Sequence, residues 1–221
     1  MRRFFQNNGL SLVLFGLFSF SLAGQYFTGY LEYNNTREAH GESEVGYAAY
    51  FGTGHFIEAV FENWESEFLQ IGMYVVLTIF LFQKGSSESK EPGTTERVDV
   101  IPETNLLNKD APSAVRRGGL ALKLYQNSLS IALFSLFFAS FALHAVGGAK
   151  EYNEEQTAHR QPTVSTIEFA KTSQFWFQSF QNWQSEFLSI GVMVVFSIFL
   201  RQKGSPESKP VDAPHSDTGT N

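Results

Sequence analysis

The amino-acid sequence predicts an all-α membrane protein with four transmembrane helices, arranged as two parallel two-helix repeats. Three observations lead to this fold class: long segments without charged side chains, an internal repeat, and a one-sided distribution of lysine and arginine. A net charge of −6 and 17% charged residues over 221 residues would suit an ordinary soluble domain. The positions of the charges along the chain, and not their number, therefore decide the class.

An internal repeat runs through the chain with an offset of 119 residues. NWESEFLQIG begins at Asn63 and NWQSEFLSIG at Asn182, and 20 of the 28 positions from Asn63 to Lys90 are identical in the second copy. Self-similarity at a fixed offset indicates two copies of one structural unit. The predicted parts are repeat 1 (1–90), a linker (91–119), repeat 2 (120–209) and a tail (210–221).

The first span of each copy lies in a long segment without charges. No charged side chain occurs from Phe4 to Leu31, and His144 is the only acidic, basic or imidazole side chain from Leu124 to Ala149. Both segments exceed the ~20 apolar residues that cross a bilayer. Transmembrane helices are therefore predicted at about 8–30 and about 124–148.

The N-terminus also fits a cleaved signal peptide, because Met-Arg-Arg is followed by an apolar run and by Ala23 and Gly24. The same pattern recurs in mid-chain from Gln126, where no signal peptidase reads an N-terminal signal. The repeat therefore favours retention of the first segment as a helix.

The second predicted span of each copy has a shorter apolar run, so its length includes the residues on either side of that run. Glu67 and Lys84 are 17 residues apart, which corresponds to about 25 Å of helix. That length approaches the thickness of a hydrocarbon core, since a lysine side chain extends towards the headgroups. Trp64 and Trp183 stand at the ends of these segments, where interfacial aromatic side chains are frequent. The predicted spans are about 65–84 and about 184–202.

A short amphipathic pattern precedes each second span. In the first copy Phe56, Val60 and Trp64 recur with helical spacing, while Glu58 and Glu62 occupy the opposite face. The pattern predicts outer helices at about 54–64 and about 173–183. Each is either a separate helix on the outer membrane surface or an extension of the span that follows it.

Lysine and arginine predict the orientation of the chain. Twelve of the 16 fall at the N-terminus, between Lys84 and Lys123, or in the tail from Arg201. The other four fall in the segments between spans; they are Arg37, Lys150, Arg160 and Lys171. Because basic residues accumulate on the cytoplasmic side, both termini and the linker are predicted to be cytoplasmic, which makes the repeats parallel.

Several chemistries find no support in the sequence. The absence of cysteine excludes disulfides, thiolate metal sites and thiol catalysis within this chain. No phosphate-binding glycine loop, HExxH or GxSxG motif occurs, and the acidic composition disfavours nucleic acid as a partner. No cofactor, no metal and no enzymatic activity are predicted.

The linker and the tail are rich in Ser, Glu, Lys, Thr and Pro, which predicts disorder.

Two carboxylates in the repeated block, Glu67 and Glu186, are the candidate functional residues. A polar stripe that descends from each of them along its span would face protein or water, because lipid cannot satisfy it. The alternative is structural: Asn63 caps a helix and the carboxylates interact with the helix dipole, or they lie among the headgroups. The supporting motif residues are Asn63, Trp64, Ser66, Asn182, Trp183 and Ser185.

The histidines receive structural interpretations. His40 and His159 occupy equivalent positions on the outer side, and each is predicted to be a lone imidazole that bonds to the adjacent Glu-Tyr-Asn sequence. His144 is predicted to be a helix-packing residue. The second copy replaces His55, Glu62 and Glu65 with glutamines, so a function that needs these groups is restricted to the first copy; the replacements are Gln174, Gln181 and Gln184.

The segments NGLSLVLF, GHF-x-EA-x-FENWESEFLQ and FQKGSSESK resemble a family of small bacterial integral membrane proteins of unknown function. The resemblance implies membrane residence and supplies no activity or ligand.

The leading hypothesis is a non-enzymatic plasma-membrane protein that serves assembly or envelope interaction, with the bilayer, further copies or other membrane proteins as partners. The alternative is a small oligomeric transporter or channel that uses Glu67 and Glu186 at the repeat interface. An enzyme that acts on lipid or quinone ranks third, because no nucleophile–base pair is identifiable.

Overall fold

The computed structural model describes residues 2–101 and 110–219, and within these ranges the chain is helical or irregular, without a β-strand. The centre of the predicted linker and the last two residues of the tail lie outside the described residues. The described helices are α1 (Arg2–Ala39), α2 (Tyr47–Tyr50), α3 (Gly54–Phe80), α4 (Ser113–Arg117), α5 (Gly119–Gln126), α6 (Ser128–Ala158), α7 (Thr166–Phe169) and α8 (Ser173–Phe199). A 3₁₀ turn, Arg97–Asp99, lies between α3 and α4.

Within the part of the chain that the structure describes, two helices are long and apolar enough to cross a membrane: α1 from Arg3 onward, and α6. The 38 residues of α1 span about 57 Å, so its end extends well beyond a hydrocarbon core. Apolar side chains on α1 are largely exposed, for example Phe20 at 78% and Leu10 at 76%. These helices contain nearly all of the two first spans predicted from the sequence, although a break at Asn127 places residues 124–126 in α5.

The helices α3 and α8 are each continuous over 27 residues. They include the amphipathic segments, so the outer helices are extensions of the helices that follow them and not separate elements. Thr53 caps the start of α3 and Thr172 caps the start of α8, because each hydroxyl accepts a hydrogen bond from the backbone N–H three residues later. Asn63 therefore lies inside a helix and does not cap one, which corrects that structural alternative.

The chain divides into two compact units, and each receives residues from both sequence copies. Unit 1 contains the described residues up to Phe61 together with Ala142–Phe175. Unit 2 contains the described residues of the range 62–141 together with those from Trp176 onward.

The turns that follow α1 and α6 in unit 1 are built in the same way. The Asn34 side chain donates to the carbonyl of Val45 at 3.0 Å and accepts from its N–H at 2.8 Å. Asn153 makes both bonds with Val164 at 2.8 Å. We call each of these four-atom contacts an Asn–Val clasp.

Each of these two helices is also followed by a residue in the left-handed backbone conformation. Gly41 has φ 72° and Arg160 has φ 55°. The next N–H in each turn bonds to a carbonyl five residues earlier, from Glu42 to Arg37 and from Gln161 to Gln156. Glycine suits such a position, whereas arginine adopts it with strain.

In unit 1 the start of α3 packs closely against α6, because small residues face each other there. A Cβ atom on Gly147 would lie 2.5 Å from the backbone nitrogen of Glu58, and one on Gly54 would collide with the backbone of Glu151. The two backbones therefore meet without intervening side chains. This contact holds His55 and Glu151 close together.

Candidate functional site

The ends of α1 and α6 and the start of α3 enclose a cavity of about 330 Å³ in unit 1. Five carboxylates and three imidazoles line it, against a single guanidinium. The lining residues are Glu32, Tyr33, Thr36, Arg37, His40, Glu42, His55, Glu151, Glu154, Glu155, Ala158 and His159. We call it the histidine–carboxylate cavity.

Helical spacing explains how α1 and α6 build the cavity. Residues four positions apart lie on one face of a helix. Glu32 and Thr36 follow this spacing on α1, and His40 continues it one residue after the helix ends. The equivalent residues do the same at the end of α6; these are Glu151, Glu155 and His159. Both series lie beyond the apolar segments of their helices, so polar side chains are available there in both copies.

The structure brings His40 and His159 together at the rim of the cavity. Their ring centroids are 6.5 Å apart, with the rings nearly perpendicular at 79°. Both side chains are exposed. Sequence analysis treated them as separate imidazoles, because a contact between residues 119 positions apart has no local signal.

A tyrosine and a carboxylate are tightly bonded in the buried part of the cavity. Tyr33 is 7% exposed, and its hydroxyl donates to Oε2 of Glu154 at 2.6 Å. Burial and the Glu154 carboxylate raise the pKa of Tyr33, so it remains a proton donor at neutral pH.

His55 is oriented by a second tyrosine. The Tyr50 hydroxyl lies 2.9 Å from Nδ1 of His55, and burial raises the pKa of Tyr50 to about 12. A protonated hydroxyl donates to Nδ1, which leaves the ring proton of a neutral imidazole on Nε2. That nitrogen faces Oε2 of Glu32 at 3.7 Å.

Glu151 is the most perturbed carboxyl group of the cavity. It lies beyond Ala149, where the apolar part of α6 ends. Burial, followed by the negative charges of Glu154 and Glu58, raises its pKa to about 7, although the backbone N–H of His55 bonds to the carboxylate. Its Oε2 atom is buried and has no hydrogen-bond partner among the described residues. A cation beside this oxygen would favour the charged form.

The predicted functional carboxylates lie in unit 2. Glu67 is exposed and Glu186 is half-buried, and they are close enough for their charges to interact. The Gln70 side chain joins the helices at this level by donating to the carbonyl of Glu186 at 2.8 Å and to the Ser189 hydroxyl at 3.0 Å.

Sequence analysis did not select Glu65, which is fully buried in unit 2. The hydroxyl of Ser179 donates to its carboxylate at 2.7 Å, and the indole N–H of Trp183 does so at 3.3 Å. The sequence carries a signal of this contact, because both of its residues differ from their counterparts in the other copy. Glu65 corresponds to Gln184, and Ser179 corresponds to Val60.

The other motif residues have local contacts. Ser66 donates to the carbonyl of Asn63, and Ser185 makes the equivalent bond to Asn182, both at 2.8 Å. Asn63 is exposed, and Trp64 and Asn182 are half-buried. The repeated motif therefore combines helix-local bonds with one buried carboxylate contact.

The model of the family described as a domain of unknown function (DUF6766) matches residues 1–220. The chain belongs to the DUF6766 family. No curated protein and no solved structure matches it.

This DUF6766 chain is unequal in its two copies at the cavity. Glu154 and Glu155 of the second copy stand where the first has Asn35 and Thr36. In the opposite direction, His55 of the first copy corresponds to Gln174. The cavity is therefore a single site that both copies complete, and not two equivalent sites.

Proposed function

We propose that this DUF6766 protein is a non-enzymatic, multi-pass protein of a bacterial plasma membrane, and that its histidine–carboxylate cavity binds a cationic group. Such binding serves envelope interaction or assembly on the outer side. The observation that carries the proposal is Glu151 Oε2, a buried carboxylate oxygen without a partner among the described residues, in a cavity with five carboxylates.

The electrostatics of the cavity favour a cation. The negative charges of Glu154, Glu58 and Glu155 each disfavour the ionised form of Glu151. The single guanidinium, Arg37, is already paired with Glu42 at 2.9 Å. A bound cation would relieve the repulsion among the remaining carboxylates and supply a partner for Glu151.

Membrane residence with four spans is the second part of the proposal. In addition to α1 and α6, the helices α3 and α8 expose large apolar side chains along their second halves, among them Phe80 at 69% and Phe196 at 53%. Exposed apolar surface of this extent suits contact with lipid. The proposed topology places both termini in the cytoplasm.

Single cysteines test the topology, because the natural chain has none. A membrane-impermeant maleimide added to intact cells should label cysteine at Gly41 or Pro162 and should not label cysteine at Gly93. Labelling at Gly93 in intact cells would contradict the four-span arrangement.

Cation binding is tested by thermal unfolding of the purified chain in nanodiscs with magnesium, calcium, zinc or spermidine. At least one of these should raise the unfolding temperature of the parent protein. Glu151→Gln should remove that rise. Glu44→Gln is the matched control, since it removes one outer carboxylate that does not line the cavity. Equal responses of all three proteins, or none in the parent, would contradict the proposal.

An oligomeric transporter or channel that uses Glu67 and Glu186 remains the second candidate. The observation that favours it is the buried Glu65 carboxylate, because ionisable groups within spans often mark ion pathways. In proteoliposomes, ion flux by the parent should be lost in the Glu67→Gln/Glu186→Gln variant while folding is retained. Unchanged flux in the double variant would refute a role for this pair.

A further inference from the structure

The segment that follows α8 contains a lysine with almost no exposure. Lys209 is 2% exposed, and its three ammonium protons are shared among four backbone carbonyls within 3.3 Å of Nζ. One belongs to Gly85, just after α3, at 2.6 Å. The others belong to the tail itself and are those of Pro214 (3.3 Å), His215 (3.1 Å) and Asp217 (2.8 Å). The charge of Lys209 therefore holds the tail in a closed turn against the chain beyond α3.

Arg201 fastens the same segment to the end of α8. Its guanidinium donates to the helix carbonyls of Ser197 at 3.3 Å and Ile198 at 3.2 Å, and to the carbonyl of Leu200, just after the helix, at 2.8 Å. It also donates to tail carbonyls, those of Pro210 at 3.2 Å and Ala213 at 3.1 Å. Cationic side chains at a helix C-terminus satisfy carbonyls that the helix leaves unbonded.

Backbone contacts complete the attachment. The N–H of Gly85 donates to the Thr218 hydroxyl at 2.9 Å, and the N–H of Gly219 donates to the carbonyl of Ser86 at 2.9 Å. Ser86 is itself fully buried and bonds to the Ser197 hydroxyl of α8 at 2.8 Å. The tail thus joins the residues after α3 to the end of α8.

An open cavity of about 920 Å³ lies between α3, the chain after α3 and the last described residues of the tail. Tyr74 and Thr78 of α3 form one wall, and Thr218 and Gly219 of the tail form part of another. The Tyr74 hydroxyl donates to the Glu88 carboxylate at 3.1 Å, which holds the chain after α3 against the helix.

The equivalent lysine of the first copy is bonded differently. Lys90 pairs with Asp99 at 2.6 Å, and its side chain keeps 17% exposure. The identical residue type is therefore used for an ion pair in one copy and for a buried set of carbonyls in the other. The difference arises from the tail, which supplies three of the four carbonyls.

We propose that residues 205–219 form a strap that is fastened by Lys209 and Arg201 and that covers one side of this cavity through Thr218 and Gly219. With the strap attached, α3 and α8 are held together at their C-terminal ends; its release uncovers the wall formed by Tyr74 and Thr78. The inference is independent of the cation proposed for the histidine–carboxylate cavity.

Hydrogen–deuterium exchange of the full chain in nanodiscs tests the strap directly. Peptides that contain Gly85 or Gly219 should exchange at least about tenfold more slowly than unstructured peptides of the same sequence, because both N–H groups are bonded. Lys209→Met should raise exchange in both by about tenfold. Lys203→Met, an equal substitution of an exposed lysine in the same segment, should leave exchange unchanged.

A second variant and a second readout guard against misfolding of the first variant. Thr218→Val removes only the acceptor of the Gly85 N–H and should raise exchange mainly at that peptide. A cysteine at Thr78 should react with maleimide faster when it is combined with Lys209→Met than when it is alone. Random-coil exchange of the parent tail would overturn the proposal, as would identical exchange in the parent and Lys209→Met proteins.

Discussion

At their outer ends the two copies have some residues in common and differ in others. The Asn–Val clasp, the threonine at the start of the long helix and the left-handed residue after the first helix occur in both. The Tyr50–His55 pair of the first copy is replaced by Phe169 and Gln174 in the second, and Phe169 is fully buried. Side chains that bond to backbone are thus the same in both copies. Among the cavity residues, Glu32 and His40 have identical counterparts in Glu151 and His159, whereas His55 and Glu154 do not. The comparison teaches that the turns of the two copies are built alike, while the cavity combines shared residues with residues present in one copy only.

The largest expected effect comes from breaking the clasps. Asn34→Ala and Asn153→Ala each remove two hydrogen bonds to a valine backbone, which should lower the free energy of unfolding by about 1–3 kcal/mol in both copies. Chemical unfolding in detergent measures this. Asn35→Ala, at an exposed neighbouring position, is the control and should change little. A loss in one copy alone would show that the clasps are not equivalent.

Replacing the Tyr50–His55 pair with the residues of the second copy should have an intermediate effect on stability. Tyr50→Phe/His55→Gln removes the bond that orients the imidazole, at a cost of about 0.5–1.5 kcal/mol. We expect the variant to fold but to bind the cavity cation less tightly, as measured by calorimetry. Unchanged cation affinity would remove His55 from the site.

The pH dependence of stability should reflect Glu151. Because its pKa of about 7 in the folded protein lies above its unfolded value, the folded state holds more protons between these two values. Stability should therefore fall as the pH rises towards 7 and should become level above it. Thermal unfolding from pH 5 to pH 8 should show this decline in the parent and a flatter profile in Glu151→Gln. Identical profiles would contradict the assignment.

The smallest expected effect concerns the left-handed residues. Arg160→Gly should stabilise the protein by less than about 1 kcal/mol, since relief of strain is partly offset by the greater freedom of glycine when unfolded. Gly41→Ala should destabilise by about 1 kcal/mol for the opposite reason. Unfolding temperatures of the two variants should thus move in opposite directions, and movement in the same direction would contradict this account.

Sequence reasoning located what depends on local pattern. The apolar runs placed α1 and α6, because twenty or more residues without charge have few structural alternatives. It also placed the amphipathic starts of α3 and α8, but it could not decide whether each was separate from its span. Thr53, the residue that caps the start of α3, stands among Gly52 and Gly54, which read as a loop.

Sequence reasoning missed what depends on contacts between distant residues. His40 with His159, Glu65 with Ser179 and Lys209 with Gly85 are all separated by more than 100 positions. Composition predicted disorder for the tail, because apolar residues are few there. Composition does not indicate that a lysine bonds to backbone carbonyls, since every residue has a carbonyl. Whether the tail moves in solution is the question that the exchange experiment answers.

Cation binding linked to proton release tests the central claim most directly. Isothermal titration calorimetry at pH 7, in buffers of different ionisation enthalpy, counts the protons released when the stabilising cation binds. Because the raised pKa of Glu151, about 7, leaves part of this group protonated at pH 7, the parent should release a fraction of a proton per site and Glu151→Gln none. Binding without proton release in the parent, or equal release by the Glu151→Gln variant, would contradict a cation site at Glu151.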